Sequence, residues 1–180
     1  MIEKVIKIAN SASNKIMEIY NSDNINIELK NDNSPVTNAD MFSHNIIIEG
    51  LKKISDYPIM SEEEIVPYKI RKNWTKFWLV DPLDGTKDFI AKNGQFTINI
   101  ALIDKDKPIL GVVYIPYDND VYYAQIGTGA FKNGKRIFNI SNRKDLIAAD
   151  SNFYSTQAMK DFFESNNIKN IKKIGSSIKI

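Results

Sequence analysis

The run Asp81-Pro82-Leu83-Asp84-Gly85-Thr86 sets two carboxylates three residues apart across a proline-stiffened turn. Directly after an apolar stretch, that spacing can aim both acids at one point. Gly85 permits close backbone approach, and Thr86 opens a short helical segment through Ile90 whose free N–H groups suit a phosphate beside the acids. Glu62 and Glu63 follow a second strand-like run, Pro58-Ile59-Met60, and can bring a third carboxylate to the same place. Acids held this close repel each other unless a cation neutralises them. A hard, oxygen-seeking ion such as magnesium, completed by water and phosphate oxygens, meets that need.

Composition confines the chemistry to the same groups. The 180 residues include no cysteine and a single histidine, His44. This excludes disulfides, iron–sulfur clusters, thiolate zinc sites and a cysteine nucleophile, and leaves no material for a multi-histidine metal centre. Any Ser-His-Asp triad would have to run through His44. With 24 basic and 22 acidic side chains, the net charge of +2 lacks the excess that nucleic-acid binding requires, so no nucleic-acid partner is expected. Each acid also has an ordinary reading. Asp-Gly is a common turn, Glu62-Glu63-Glu64 suits a solvated charged patch, and Asp40 can simply complete a capping box begun by Thr37. His44, on a helix with no obvious partner, reads as structural.

The elements that must position these residues follow from periodicity. Ile2, Val5, Ile6, Ala9, Ser13, Ile16, Met17 and Tyr20 recur at helical steps, and that helix ends near Asn21-Ser22-Asp23-Asn24. Ile25 to Leu29 is extended, and Asn31-Asp32-Asn33-Ser34-Pro35 reads as a loop. A second helix runs from Asn38 to Ile54 with Thr37 as N-cap. Phe77-Trp78-Leu79-Val80 is a buried strand that stops at Asp81-Pro82 and delivers an acid at its end. Strands are expected from Gln95 to Ile103, Ile109 to Ile115 and Val121 to Tyr123, and Asn133-Gly134 marks a hairpin. Two helices followed by these strands predict an α+β layer with a largely antiparallel sheet. A polar connector at Ser141 to Lys144 precedes a strand at Leu146 to Ala149, a helix from about Thr156 to Ser165 and a strand at Ile168 to Ile174, which together suggest a second, α/β domain. Gly175 to Ile180 then reads as a strand-to-helix turn with an N-cap and no following helix, so the chain is expected to stop mid-element. The N-terminal Met1-Ile2-Glu3-Lys4-Val5 lacks the pattern of a signal peptide, and the longest apolar runs fall far short of the roughly 20 residues needed to cross a bilayer. A soluble, cytoplasmic protein with no transmembrane segment is expected.

Trp78-Leu79-Val80-Asp81-Pro82-Leu83-Asp84-Gly85-Thr86-Lys87-Asp88-Phe89-Ile90 closely resembles the metal-binding motif of the inositol monophosphatase superfamily, in the version carried by CysQ-type 3′(2′),5′-bisphosphate nucleotidases. The resemblance extends through Lys30, Asn33-Ser34-Pro35-Val36-Thr37, Asp40, Ser61-Glu62-Glu63, Phe96 to Ala101, Pro108 to Tyr114 and Gly175-Ser176-Ser177-Ile178-Lys179, essentially the whole chain. Lys87-Asp88-Phe89-Ile90 is similar to the nucleotidase branch, which usually has Lys-Glu-Phe-Ile there, more than to the inositol branch.

The resemblance implies a layered αβαβα sandwich of the inositol-monophosphatase type, in the α+β and α/β classes. Residues 1–143 would form an N-terminal α+β domain binding metal and phosphate, and 144–180 the start of an incomplete C-terminal α/β domain. It implies Glu62, Asp81, Asp84 and the Leu83 carbonyl as ligands of two or more Mg2+ ions. Asp40, Thr86 and Glu62 would be catalytic, with Thr86 and Asp40 orienting and deprotonating a water. Gly85, Thr86, Lys30 and Ser176 would bind substrate. The implied activity is removal of the 3′-phosphate of 3′-phosphoadenosine 5′-phosphate to give AMP. The alternatives are an inositol-phosphate phosphatase or an inactive remnant that only binds metal. A small phosphorylated molecule would be the partner, and a homodimer is compatible. The family's further carboxylate, in a downstream Trp-Asp motif, lies beyond the last residue here, so little or no activity is expected of the 180-residue chain.

Overall fold

The computed structural model describes residues 1–22, 25–138 and 147–179. The expected helix end at Asp23 and Asn24, the connector at 141–144 with the 143/144 domain boundary, Leu146 and Ile180 lie outside the described residues.

The first helix, α1, spans Ile2–Tyr20 and buries Val5, Ala9, Ala12, Ile16 and Ile19, the stripe that its three- and four-residue spacing demands. Two short antiparallel strands follow, β1 (Ile27–Leu29) and β2 (Pro35–Thr37). The expected loop therefore closes a small hairpin. Asn33 turns the chain at φ 63°, a conformation asparagine tolerates, and Lys30 N–H donates to the Ser34 carbonyl. The second helix, α2, spans Asn38–Lys52, and Thr37 and Asp40 complete the expected capping box.

Next come β3 (Ile59–Ser61), a four-residue helix α3 (Tyr68–Arg71) that the sequence did not signal, β4 (Lys76–Asp84) and α4 (Thr86–Ile90). Strands β5 (Thr97–Asp104), β6 (Lys107–Ile115), β7 (Asp120–Gln125), β8 (Gly129–Lys132) and β9 (Lys135–Ile137) complete a seven-stranded sheet in the order β3-β4-β5-β6-β7-β8-β9. Only the β3–β4 pair in this sheet is parallel. Helices α1 and α2 cover one face, packing against Trp78, Val80, Ile98, Ile100, Val112 and Tyr114. Burying each large apolar side chain in that layer contributes about 1.5–3 kcal/mol.

A separate parallel pair, β10 (Ile147–Asp150) with β11 (Asn170–Lys173), is joined by α5 (Gln157–Ser165), whose N-cap Thr156 accepts from Met159 N–H. A 3₁₀ turn over Ser176–Lys179 follows β11. The mixed α/β class expected from sequence is the class observed. Among the described residues no helix is long and apolar enough to cross a membrane.

One expectation is corrected. The strand does not stop at Asp81-Pro82, because β4 continues to Asp84. Asp81 pairs with Asn99 and Asp84 with Thr97, so β4 carries one extra residue between the two acids. Pro82 has no N–H to give to the ladder, and a bulge here bends the strand and re-aims Asp84.

Candidate active site

Helix α2 presents three polar side chains from one buried face, two reaching the Asp81-to-Thr86 run and one the end of β3. Asp40 Oδ2 accepts from Thr37 N–H at 2.8 Å and Thr37 Oγ1 at 2.6 Å, which leaves Oδ1 to accept from Thr86 Oγ1 at 3.1 Å. Asp40 thus caps its helix, as its spacing from Thr37 predicts, and also touches Thr86. Ser43 Oγ donates to the Pro82 carbonyl at 2.7 Å and pins the β4 bulge. His44 Nδ1 lies 2.9 Å from Ser61 Oγ and steadies the strand end that carries Glu62. His44, read from sequence as lacking an obvious partner, thus has one in Ser61. Ser43 was not singled out from sequence, although its three-residue step from Asp40 puts it on the same helix face.

Gly85 links the bulge to α4 at φ 93°, and a Cβ there would sit 2.9 Å from both the Gln95 carbonyl and Ser176 Cβ. Glycine is required on both counts. Beneath α4, the Phe89, Phe96 and Tyr20 rings pack with centroids 5.0–5.3 Å apart. This apolar floor holds the turn from below.

Glu62, Leu83, Asp84, Gly85, Thr86 and Ser176 line one cavity of about 420 Å³. Asp81 opens on an adjoining groove that shares Glu62. Lys30 lies behind Glu62, where its ammonium donates to Glu62 Oε1 at 2.9 Å and Glu63 Oε1 at 2.8 Å. Burial acts to lower the Lys30 pKa, but the hydrogen bonds and charges of the two glutamates outweigh it and hold the group above its ordinary range. The solvated-patch reading suits Glu64, whose side chain is 74% exposed, and fails for Glu63 at 6%.

Asp84 Oδ2 accepts from Ser177 N–H at 2.6 Å and Ser177 Oγ at 2.7 Å. Ser177, which was not singled out from sequence as a site residue, thus grips this acid. Ser176 lines the cavity and packs on Gly85. Ser177 is 93 residues from Asp84 in sequence, and no local signal connects them.

Burial drives the Asp81 carboxyl well above the usual carboxylate range, and the charges of Glu62 and Asp84 push it in the same direction. Its Oδ1 is buried with no hydrogen-bond partner. Burial likewise raises Asp40, against the opposing hydrogen bonds from Thr37 and Thr86. Among the described residues no three acidic or histidine side chains are already gathered as a cage for an ion. Lys30 draws Glu62 and Ser177 draws Asp84, as expected of acids that repel one another. The orphaned Asp81 oxygen, beside two further carboxylates, nevertheless fits a divalent cation, which would satisfy that oxygen and reverse the repulsion.

The chain matches the model of the inositol monophosphatase family over residues 1–178. It is 42% identical to the 3′(2′),5′-bisphosphate nucleotidase CysQ of Buchnera aphidicola, across 99% of this chain and 69% of that protein. It is 39% identical to the enzyme of the same name from Escherichia coli, across 99% of this chain and 74% of the relative. Among solved structures, CysQ of Bacteroides thetaiotaomicron superposes with a TM-score of 0.84 at 34% identity, covering 99% of this chain and 73% of that one. An inositol monophosphatase from Thermotoga maritima superposes with a TM-score of 0.80 at 27% identity, covering 96% and 67%.

Proposed function

Because the chain belongs to the inositol monophosphatase family, whose members are metal-dependent phosphatases, we propose that it acts on the 3′-phosphate of 3′-phosphoadenosine 5′-phosphate, releasing phosphate and leaving AMP. The observation that carries the hydrolytic reading is the Thr86 hydroxyl, which is held by the buried Asp40 and lines the same cavity as Glu62 and Asp84. The nucleotide preference draws support from the names of the relatives and from their identity levels.

Glu62, Asp81, Asp84 and the Leu83 carbonyl would hold Mg2+, two or more ions in this reading. Bound there, the metal supplies positive charge to the phosphate oxygens and a better nucleophile from water. Asp40 accepts a hydrogen bond from Thr86 Oγ1, which leaves Thr86 Oγ1 to accept one from a water, aim it at phosphorus and, as the water attacks, take its proton while passing the hydroxyl proton to Asp40. Gly85 lets the turn close against Gln95 and Ser176, where any side chain would collide, and so sets the start of α4 beside the acids to receive a phosphate. Lys30 sets the Glu62 carboxylate in place and, with two of its three N–H groups given to the glutamates, would offer the third to a substrate oxygen. The division into a metal- and phosphate-binding unit over 1–143 and an α/β unit beginning at 144 belongs to the same proposal. So do a cytoplasmic location and a homodimer.

Titration with 3′-phosphoadenosine 5′-phosphate and with inositol 1-phosphate, each with magnesium, tests the reading by heat of binding and by released phosphate. The nucleotide should bind more tightly, and a chelator should abolish the difference. A preference for inositol 1-phosphate would overturn it.

A further inference from the structure

Asp88 is buried at 4% exposure and borders the same cavity as Asp84 and Thr86, yet it has no part in the chemistry described above. Its Oδ1 accepts from Asn93 Nδ2 at 2.6 Å and Asn152 Nδ2 at 2.6 Å. Asn152 also donates to Gln95 Oε1 at 2.9 Å, and that same oxygen accepts from Gly175 N–H at 2.5 Å. The two residues that come from the acidic loop and its sequel, Asp88 and Gln95, thus hold two from the β10–α5–β11 unit, Asn152 and Gly175.

The fit at Gly175 is close. A Cβ there would lie 2.5 Å from Asp88 Oδ2, so the Gly175 backbone rests directly on the Asp88 carboxylate. Gly85 mirrors it, accepting Ser176 where a Cβ would collide. Two residues beyond Gly175, Ser177 delivers its N–H and its hydroxyl to Asp84 Oδ2, and Asn99 Nδ2 donates to Ser177 Oγ at 3.1 Å. The position of the Asp84 carboxylate therefore depends on where Gly175 sits, and Gly175 sits where Asp88 and Gln95 place it.

We infer that Asp88 is a positioning residue for the metal site. Through Gly175 and Ser177 it orients the Asp84 carboxylate, so that the β10–α5–β11 unit must be docked on Asp88 for divalent ions to bind at full strength. Groups behind a metal ligand fix its orientation, and their loss costs about 10–100-fold in metal affinity. The inference rests on the reading of Asp84 as a metal ligand.

Calorimetric titration of the full chain with magnesium or manganese alone, well below its unfolding temperature, tests the inference without substrate or turnover. Asp88→Ala should weaken affinity by about tenfold or more. Asp88→Asn, which keeps an acceptor for the two asparagines, should recover most of it. Asp88→Ala combined with Ser177→Ala should lose less than the product of the two single losses, because both act on one carboxylate. A purely structural Asp88 would lower the unfolding temperature and leave the affinity of the folded chain unchanged. That result, or losses that multiply, overturns the inference and leaves the metal reading standing. If Asp88→Ala does not fold, Asn152→Ala takes its place in the same cycle. A wild-type chain that binds neither ion overturns the metal reading and this inference together.

Discussion

Asp84 and Thr86 are two residues apart and are asked to do separable things. Asp84 offers negative charge to a cation, and an amide of nearly the same volume cannot offset the ion's desolvation. Asp84→Asn should therefore weaken magnesium or manganese binding by more than about tenfold, ~1.4 kcal/mol, in a calorimetric titration. Unchanged affinity would remove Asp84 from the ligand set. Thr86 contributes a hydroxyl held by Asp40, and Thr86→Val keeps its shape while removing that group. Turnover should fall by about 10²–10⁴-fold with metal affinity nearly unchanged, which steady-state kinetics beside the same titration would read. Near-normal turnover would leave Thr86 with no role in aiming water.

Among the elements, α2 organises the site, because one of its faces sends Asp40 to Thr86, Ser43 to the Pro82 carbonyl and His44 to Ser61. That face was legible only in part. Thr37 and Asp40 announce a capping box by their spacing, whereas the partners of Ser43 and His44 come from strands 39 and 17 residues away, respectively. The β10–α5–β11 unit has its own fastening, in which Asp150 accepts from the Lys173 ammonium and from Ser155 Oγ. These hydrogen bonds, Lys173 foremost, hold the Asp150 pKa below its ordinary value. A carboxyl depressed in the folded state contributes stability that is complete above its unfolded pKa, about 4, and is lost as pH falls through the folded value. Lys173→Met should lower urea stability at neutral pH and flatten the acid dependence below about pH 4. An acid limb identical to that of the parent chain would exclude this pairing as a source of stability.

On the scale of the whole molecule, repelling acids are held together by the helix layer on one side and by the docked β10–α5–β11 unit on the other. A cation that binds the folded chain and not the unfolded one stabilises by mass action, about 2.7 kcal/mol at a hundredfold excess over Kd. Magnesium should raise the unfolding temperature in proportion to the logarithm of its concentration, EDTA should reverse the rise, and Asp84→Asn should abolish it. A melting temperature indifferent to magnesium would argue against an ion shared by Glu62, Asp81 and Asp84.

What the amino-acid sequence determined by itself was local in origin. Periodic apolar residues specified α1, α2 and the strands from β5 to β7, Asn133-Gly134 specified the β8–β9 hairpin, and the Asp81-to-Thr86 run specified both a turn and a chemistry. These depend on steps of two to four residues along the chain, where backbone geometry alone sets which side chains share a face. The tertiary structure alone decided the rest. It placed the bulge within β4, brought Ser177 to Asp84, set Lys30 between Glu62 and Glu63, and seated Gly175 on Asp88. Each of these contacts joins residues of different strands and loops or depends on a strand's partner, and only the packed chain brings such residues within hydrogen-bonding reach.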